Sequence, residues 1–301
     1  MAGISETRRY LIVGVNGQFG QIFARKLGGE GDEVAGMDLQ ERPFDAGACP
    51  MYRQMALGLE EPAEAASVMG WADCVLLCLP EDVIRDALPK VCQAMRRDAL
   101  LVDIASVKTR IRDKFEAIDT QMGYLSIHPM FGPMEDFGGR TVCVVPLKAS
   151  RRGERFLEKI ASWGADIRVM SADEHDAVTA LVQALPHAAL IAFGAVLATS
   201  PVPLDTVWAV ATPIQKLMLA LAARVATSGD HSTSWSIQSA NPAASAARES
   251  LKAQIERVES VVAVQQREGF TAILDAIRSY LGPELAQLVA LAKDAVGTKR
   301  S

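Results

Sequence analysis

The sequence predicts an α/β protein: a doubly wound parallel sheet over residues 1–170, followed by an all-helical unit over residues 171–301. Three observations carry that reading. Short apolar runs alternate with helical patterns through the first half, as they do in a parallel sheet covered on both faces. A glycine-rich turn follows the first of those runs directly. After Met170 the alternation stops and only helical periodicity continues.

The strands read in order as 9–14 (RYLIVG), 33–38 (EVAGMD), 74–80 (CVLLCLP), 99–104 (ALLVDI), 124–128 (YLSIH), 141–146 (TVCVVP) and 166–170 (DIRVM). Helical segments such as 18–27 and 151–163 fall between them. In SADE (171–174), Ser171 and Glu174 have the spacing of a capping box, so a helix starts there. The predicted helices are 172–199, 204–228, 242–267, 269–281 and 283–296, broken by SPVP, SGDHS and LGP. Long apolar faces on such a unit point to a homodimer joined through it.

Composition narrows the class. Half of the 301 residues are apolar and 22% are charged, which suits two folded domains and excludes a disordered chain. A net charge of −5 without a basic run excludes nucleic acid and anionic membrane as natural partners. The five cysteines (Cys49, Cys74, Cys78, Cys92, Cys143) are odd in number and lack metal-ligand spacing, so reduced thiols and no metal are expected. The N-terminus lacks the layout of a signal peptide. The most apolar stretch, 177–198, is interrupted by Gln183, Pro186 and His187 and reads as a buried core helix rather than a membrane span. A cytoplasmic protein is expected.

The turn GVNGQFG (14–20) lies between a strand and a helix. There the backbone can approach a pyrophosphate, and the helix N-terminus offers N–H groups and partial positive charge. Gly14, Val15, Asn16, Gly17, Gln18, Phe19 and Gly20 are therefore the candidate cofactor cradle of a Rossmann-type domain. The usual G-x-G-x-x-G pattern ending at Gly20 wants glycine where Val15 stands. Asp38 ends the second strand and is placed to accept from ribose hydroxyls, which favours NAD over its 2′-phosphorylated form.

Open parallel sheets bind ligands at the carboxyl ends of their strands. Two strands end in polar sequence there, DIASVK (103–108) and HPMFGP (128–133). If those strands are neighbours, Ser106 and His128 share one cleft, and a histidine followed by a rigid Pro is suited to proton transfer. Lys108 and Lys216 read either as site residues or as surface charges. His175, in the first turn of its helix, reads as a hydrogen-bonding residue, and His231 as a solvated loop residue.

HPMFGP, DIASVK, SADEHD (171–176), QALPHA (183–188) and TPIQKLMLALAARVA (212–226) follow one another in the order and at the distances of the prephenate dehydrogenase family. The chain resembles that family over roughly residues 8–295, most nearly the dehydrogenase part of the bifunctional chorismate mutase–prephenate dehydrogenases, with no helical mutase segment expected ahead of the first strand. The resemblance implies that His128 takes the proton of the ring C4 hydroxyl and that Ser106 hydrogen-bonds both. It implies that Arg224 binds the ring carboxylate and that His187 faces the substrate's side-chain end. A neutral imidazole with a pKa near 6.5 matches that task. Such relatives tend to read PIYR where this chain has PIQK (213–216). The implied activity is NAD-dependent oxidative decarboxylation of prephenate to 4-hydroxyphenylpyruvate, with arogenate or 4-amino-4-deoxyprephenate as alternative substrates. A non-catalytic nucleotide-binding paralogue is the remaining alternative.

Overall fold

The computed structural model describes residues 8–42, 53–56, 62–227 and 232–297. Cys49 and His231 lie outside the described residues. The chain divides into two compact units, Met1–Val178 and Thr179–Ser301.

The first unit runs β1 (Arg9–Val13), α1 (Gln18–Gly29), β2 (Glu33–Asp38), β3 (Arg53–Ala56), α2 (Pro62–Trp71), β4 (Cys74–Leu77), α3 (Glu81–Ala94), β5 (Leu100–Asp103), α4 (Thr109–Glu116), β6 (Gly123–Pro129), β7 (Thr141–Lys148), α5 (Arg151–Ser162) and β8 (Asp166–Val169). The strands form one sheet in the order β3-β2-β1-β4-β5-β6-β7-β8. Alternate side chains along each strand serve opposite faces. Leu11, Val13, Val75, Leu77, Leu101 and Tyr124 bury one face against residues of α2, α3 and α4. Ile12, Leu76, Val102, Ile127 and Val144 bury the other against α1 and α5. The doubly wound architecture is as expected.

Two features of the sheet depart from expectation. β6 and β7 pair antiparallel, and β8 is parallel to β7, so the last two strands run against the rest. The segment from Met130 to Arg140 contains no helix to carry the chain back across the sheet, and without such a crossover neighbouring strands pair antiparallel. β3 has no counterpart among the expected strands. It is a four-residue edge strand, RQMA, with too little apolar patterning to read.

α6 (Ala172–Thr179) starts at the expected capping box: Ser171 N–H donates to Glu174 Oε2 at 2.8 Å, and Glu174 N–H to Ser171 Oγ at 3.2 Å. The change of character read near Met170 thus precedes this helix, whereas the division between units falls near its end, because His175 and Asp176 are tied into the first unit.

The second unit continues through a π-helical turn (Ala180–Ala184), α7 (Leu185–Ala198), α8 (Leu204–Ala209), α9 (Pro213–Ala226), α10 (Ser232–Ser239), α11 (Ala244–Ala263), α12 (Arg267–Leu281), a 3₁₀ turn (Gly282–Glu284) and α13 (Leu285–Val296). Pro186 has no N–H to give the preceding turn, and the wider π geometry accommodates that loss. Gln238 Nε2 donates to the Ala184 carbonyl at 2.8 Å. The single helix expected over 204–228 is two helices, because Thr212 caps a new start with Pro213 at its first position. α10 was not expected, lying where the Ser/Thr-rich sequence reads as loop.

The apolar stretch 177–198 is not a core helix of this chain. Leu181, Val182, Ile191 and Val196 are exposed, and no residue of α7 is buried. Ala172–Ala198 is long and apolar enough to cross a membrane, and only 11% of its most apolar window is buried. Its apolar surface has too few partners among the described residues of one chain to form a core.

Candidate active site

The glycine turn is built around Gly14, not around position 15. Gly14 has φ +82°, and a Cβ there would lie 2.3 Å from the Cys78 carbonyl oxygen. Its N–H donates to the Met37 carbonyl at 2.8 Å, tying the turn to β2. Val15 has ordinary backbone angles and buries its side chain among Ile22, Phe23 and Ile12, so the valine departure leaves the turn intact. Gly20 lies against the Gly14 carbonyl, where a Cβ would again sit 2.3 Å from the oxygen. With Gly17 as N-cap, α1 has no side-chain cap and no acid in its first turn. The N–H groups of Gln18, Phe19 and Gly20 therefore face an end suited to a pyrophosphate. Asp38 accepts from Asn16 N–H at 2.9 Å and from Leu39 N–H at 2.8 Å.

β5 and β6 are parallel neighbours, with Asp103 opposite Ser126. Both strands thus end on the same edge as β1, and β6 lies three strands away, about 14 Å. The loop after β5 carries Ser106, half-buried; the end of β6 carries His128, 4% exposed. Phe131, in the turn after His128, meets Phe19 of the glycine turn edge-on at 6.2 Å.

A buried polar chain surrounds His128. Its Nδ1 lies 3.0 Å from His175 Nε2, and His175 Nδ1 lies 2.8 Å from Asp176 Oδ1. Asp176 also accepts from Lys108 N–H at 2.9 Å, from Thr109 N–H at 2.9 Å and from Thr109 Oγ1 at 2.7 Å, so a carboxylate from α6 caps the start of α4. The Lys108 ammonium is fully buried, donates to the Ile127 carbonyl at 2.7 Å and lies 3.7 Å from Asp103 Oδ1. Asp103 in turn accepts from Ala105 N–H at 2.8 Å and Ser126 Oγ at 2.9 Å.

Burial, then the Lys108 charge and His175, push the His128 imidazole well below its ordinary value. Burial also lowers His175, against the pull of Asp176. Burial would raise Asp176, but the hydrogen bonds from His175, Thr109 and Lys108 outweigh it and hold the carboxyl below its usual range. Desolvation pulls Lys108 down while Asp103 and Asp176 oppose it. His128 is therefore a neutral imidazole joined through His175 to an ionised carboxylate.

Sequence reading named His128 and Ser106 as candidates, read His175 as a hydrogen-bonding residue, left Lys108 open between site and surface, and passed over Asp103 and Asp176. The available signal was that DIASVK and SADEHD both carry acids beside titratable groups. Arg224 and His187 belong to the second unit, on the packed pair α9 and α7. His187 Nδ1 is buried without a hydrogen-bond partner among the described residues, and burial followed by the Arg224 charge lowers the ring. Lys216 places its ammonium 5.1 Å from the Trp208 ring centre.

Residues 23–163 match the family model described as prephenate dehydrogenase, nucleotide-binding domain, and residues 171–276 the one described as prephenate dehydrogenase, dimerization domain. The first match begins inside α1, so the glycine turn stands on its own geometry. The chain is 34% identical over 289 residues to the 4-amino-4-deoxyprephenate dehydrogenase of Streptomyces pristinaespiralis, covering 96% of each. It is 33% identical over 223 residues to the T-protein of Enterobacter agglomerans, covering 73% of this chain and 53% of that one. Among solved structures, prephenate dehydrogenase from A. aeolicus in complex with hydroxyphenyl propionate and NAD+ shares the fold, with a TM-score of 0.71 and 21% identity over 92% of this chain and 98% of that one.

Gly14→Ala is expected to cost about 2–4 kcal/mol in urea unfolding, from the left-handed backbone and the carbonyl clash together; a loss under about 0.5 kcal/mol would contradict the turn geometry. The pH profile of kcat/KM is the second check. A base with a lowered pKa stays neutral until the pH falls through that lowered value, so the acid limb should lie well below 6.5. A limb centred at or above 6.5 would contradict the buried, cation-flanked imidazole.

Proposed function

The chain belongs to the prephenate dehydrogenase family, and on that premise we propose that it uses NAD to oxidise and decarboxylate prephenate, releasing 4-hydroxyphenylpyruvate and carbon dioxide. The observation that carries the reading is His128: a buried, neutral imidazole at the carboxyl end of β6, on the strand edge that also bears the glycine turn.

His128 accepts the proton of the ring C4 hydroxyl, and Ser106 hydrogen-bonds that hydroxyl and orients it. Bound NAD supplies the acceptor for the hydride from ring C4. Arg224 holds the ring carboxylate and His187 the side-chain end; the buried Nδ1 of His187 is the kind of polar atom a substrate satisfies. Loss of the carboxylate as carbon dioxide makes the ring aromatic, so the protein's part is chiefly orientation and removal of one proton. The uncapped start of α1, with Gly14, Val15, Asn16, Gly17, Gln18, Phe19 and Gly20, receives the pyrophosphate, and Asp38 the adenosine ribose.

A second reading replaces the C4 hydroxyl by an amino group. Two observations favour it: the match to the 4-amino-4-deoxyprephenate enzyme spans nearly all of both chains, and Gln215 and Lys216 stand where PIYR is expected, with Lys216 turned onto Trp208. A neutral His128 can also take a proton from a 4-ammonium group.

The exposed apolar residues of the helical unit, among them Ile191, Leu221, Ile277 and Leu291, are covered by a second copy in a homodimer. Cys74, Cys78, Cys92 and Cys143 are free thiols, in keeping with a cytoplasmic enzyme.

Turnover of prephenate, arogenate and 4-amino-4-deoxyprephenate with NAD, compared as kcat/KM, decides the substrate. Preference for prephenate supports the first reading and preference for the amino analogue the second; inactivity on all of them would end both. His128→Asn should lower kcat at least about a hundredfold with NAD affinity retained, and near wild-type turnover would remove His128 from its role. Arg224→Ala should mainly raise the substrate KM; an unchanged KM would place the carboxylate elsewhere.

A further inference from the structure

We infer that Asp176 and His175 are positioning residues that fix His128 in the tautomer protonated on Nδ1, so that Nε2 presents the lone pair to the substrate. The inference rests on His128 being the base of the proposed reaction.

The argument is a chain of hydrogen-bond roles with one consistent solution. Asp176 is ionised and can only accept; its two oxygens already receive Lys108 N–H, Thr109 N–H and Thr109 Oγ1. His175 Nδ1, 2.8 Å from Oδ1, must therefore carry the proton in that bond. A neutral His175 with its proton on Nδ1 has a bare Nε2, which can only accept. His128 Nδ1, 3.0 Å away, must then be the donor. A neutral imidazole with a proton on Nδ1 has its lone pair on Nε2.

Burial makes the order strict. His175 and Asp176 are 0% and 1% exposed, so water does not compete for these positions, and a reversed chain would set a bare imidazole nitrogen against a carboxylate. The same chain serves the step itself. When Nε2 takes the substrate's proton, His128 becomes a cation whose Nδ1–H still donates to His175, and His175 still donates to the Asp176 carboxylate. No further proton moves. The ionised acid lies two hydrogen bonds from the new charge and offsets the buried Lys108 ammonium.

Imidazole nitrogen NMR on uniformly 15N-labelled protein reads the tautomer directly, without turnover. The chain has four histidines, and His128→Asn assigns the signal. The expected pattern is a protonated Nδ1 and a bare Nε2 on His128; the opposite pattern would overturn the inference while leaving the base assignment to the kinetics of His128→Asn. The second arm compares His175→Gln, whose amide oxygen can still accept from His128 Nδ1–H, with His175→Leu, which cannot. His175→Gln should keep kcat within about tenfold, and His175→Leu should lose about a hundredfold or more, with substrate KM and NAD affinity little changed in both. Equal losses in the two variants would show a packing role only and overturn the inference.

Discussion

A carboxylate removed from water is costly unless donors reach its acceptor sites, and breaking a buried partnership costs about 3–5 kcal/mol. Asp176 meets that demand with Lys108 N–H, Thr109 N–H, Thr109 Oγ1 and His175 Nδ1. Those donors come from the start of α4 and from the residue beside it on α6. One side chain therefore fastens the end of the first unit to the strand edge that bears His128. It also caps a helix that lacks a cap of its own, using the favourable end of the helix dipole.

The same cluster resolves an electrostatic conflict. In the proposed reaction, His128 must be neutral before the proton transfer and tolerate charge after it. Burial and the Lys108 ammonium secure the first condition, since both disfavour a protonated His128. Taken alone they would oppose the second. Asp103 and Asp176 flank Lys108 and temper its field, and Asp176 reaches His128 through His175. The network holds the imidazole neutral without surrounding it with uncompensated positive charge.

The helical unit follows different physics. Its buried interior is small and rich in alanine, with Ala180, Ala184, Ala244 and Ala247 around Ile237, while larger apolar side chains remain outside. A match to a dimerization domain fits that pattern, since an apolar surface of this kind ordinarily marks an interface. Arg224 and His187 lie on helices of this unit, so the substrate-binding roles proposed for them depend on how well a thinly packed bundle holds its shape.

Much of the fold was readable along the chain because it is written in local terms. Strand periodicity, the glycine turn and the Ser171–Glu174 capping box each depend on residues a few positions apart. β3 escaped notice because its four residues carry too little apolar patterning to read; the break at Thr212–Pro213 carried a start signal that apolar periodicity concealed. The reversal of β7 turns on which connection lacks a crossover helix. His128 and Ser106 could be picked out as candidates because polar residues at the ends of parallel strands share an edge, and Asp38 because its distance from the glycine turn is short.

The partners of His128 were not legible. His175 and Asp176 lie 47 and 48 positions further along the chain, and nothing in spacing says that a lysine reading equally as surface charge would be fully buried between two acids. Sequence alone determined the order of most elements and the residue types at the strand edge, since these follow from local periodicity and chain direction. Tertiary structure alone decided which nitrogen faces which partner, and hence the charge on the His128 imidazole, because burial and such contacts exist only once distant segments have closed around one another.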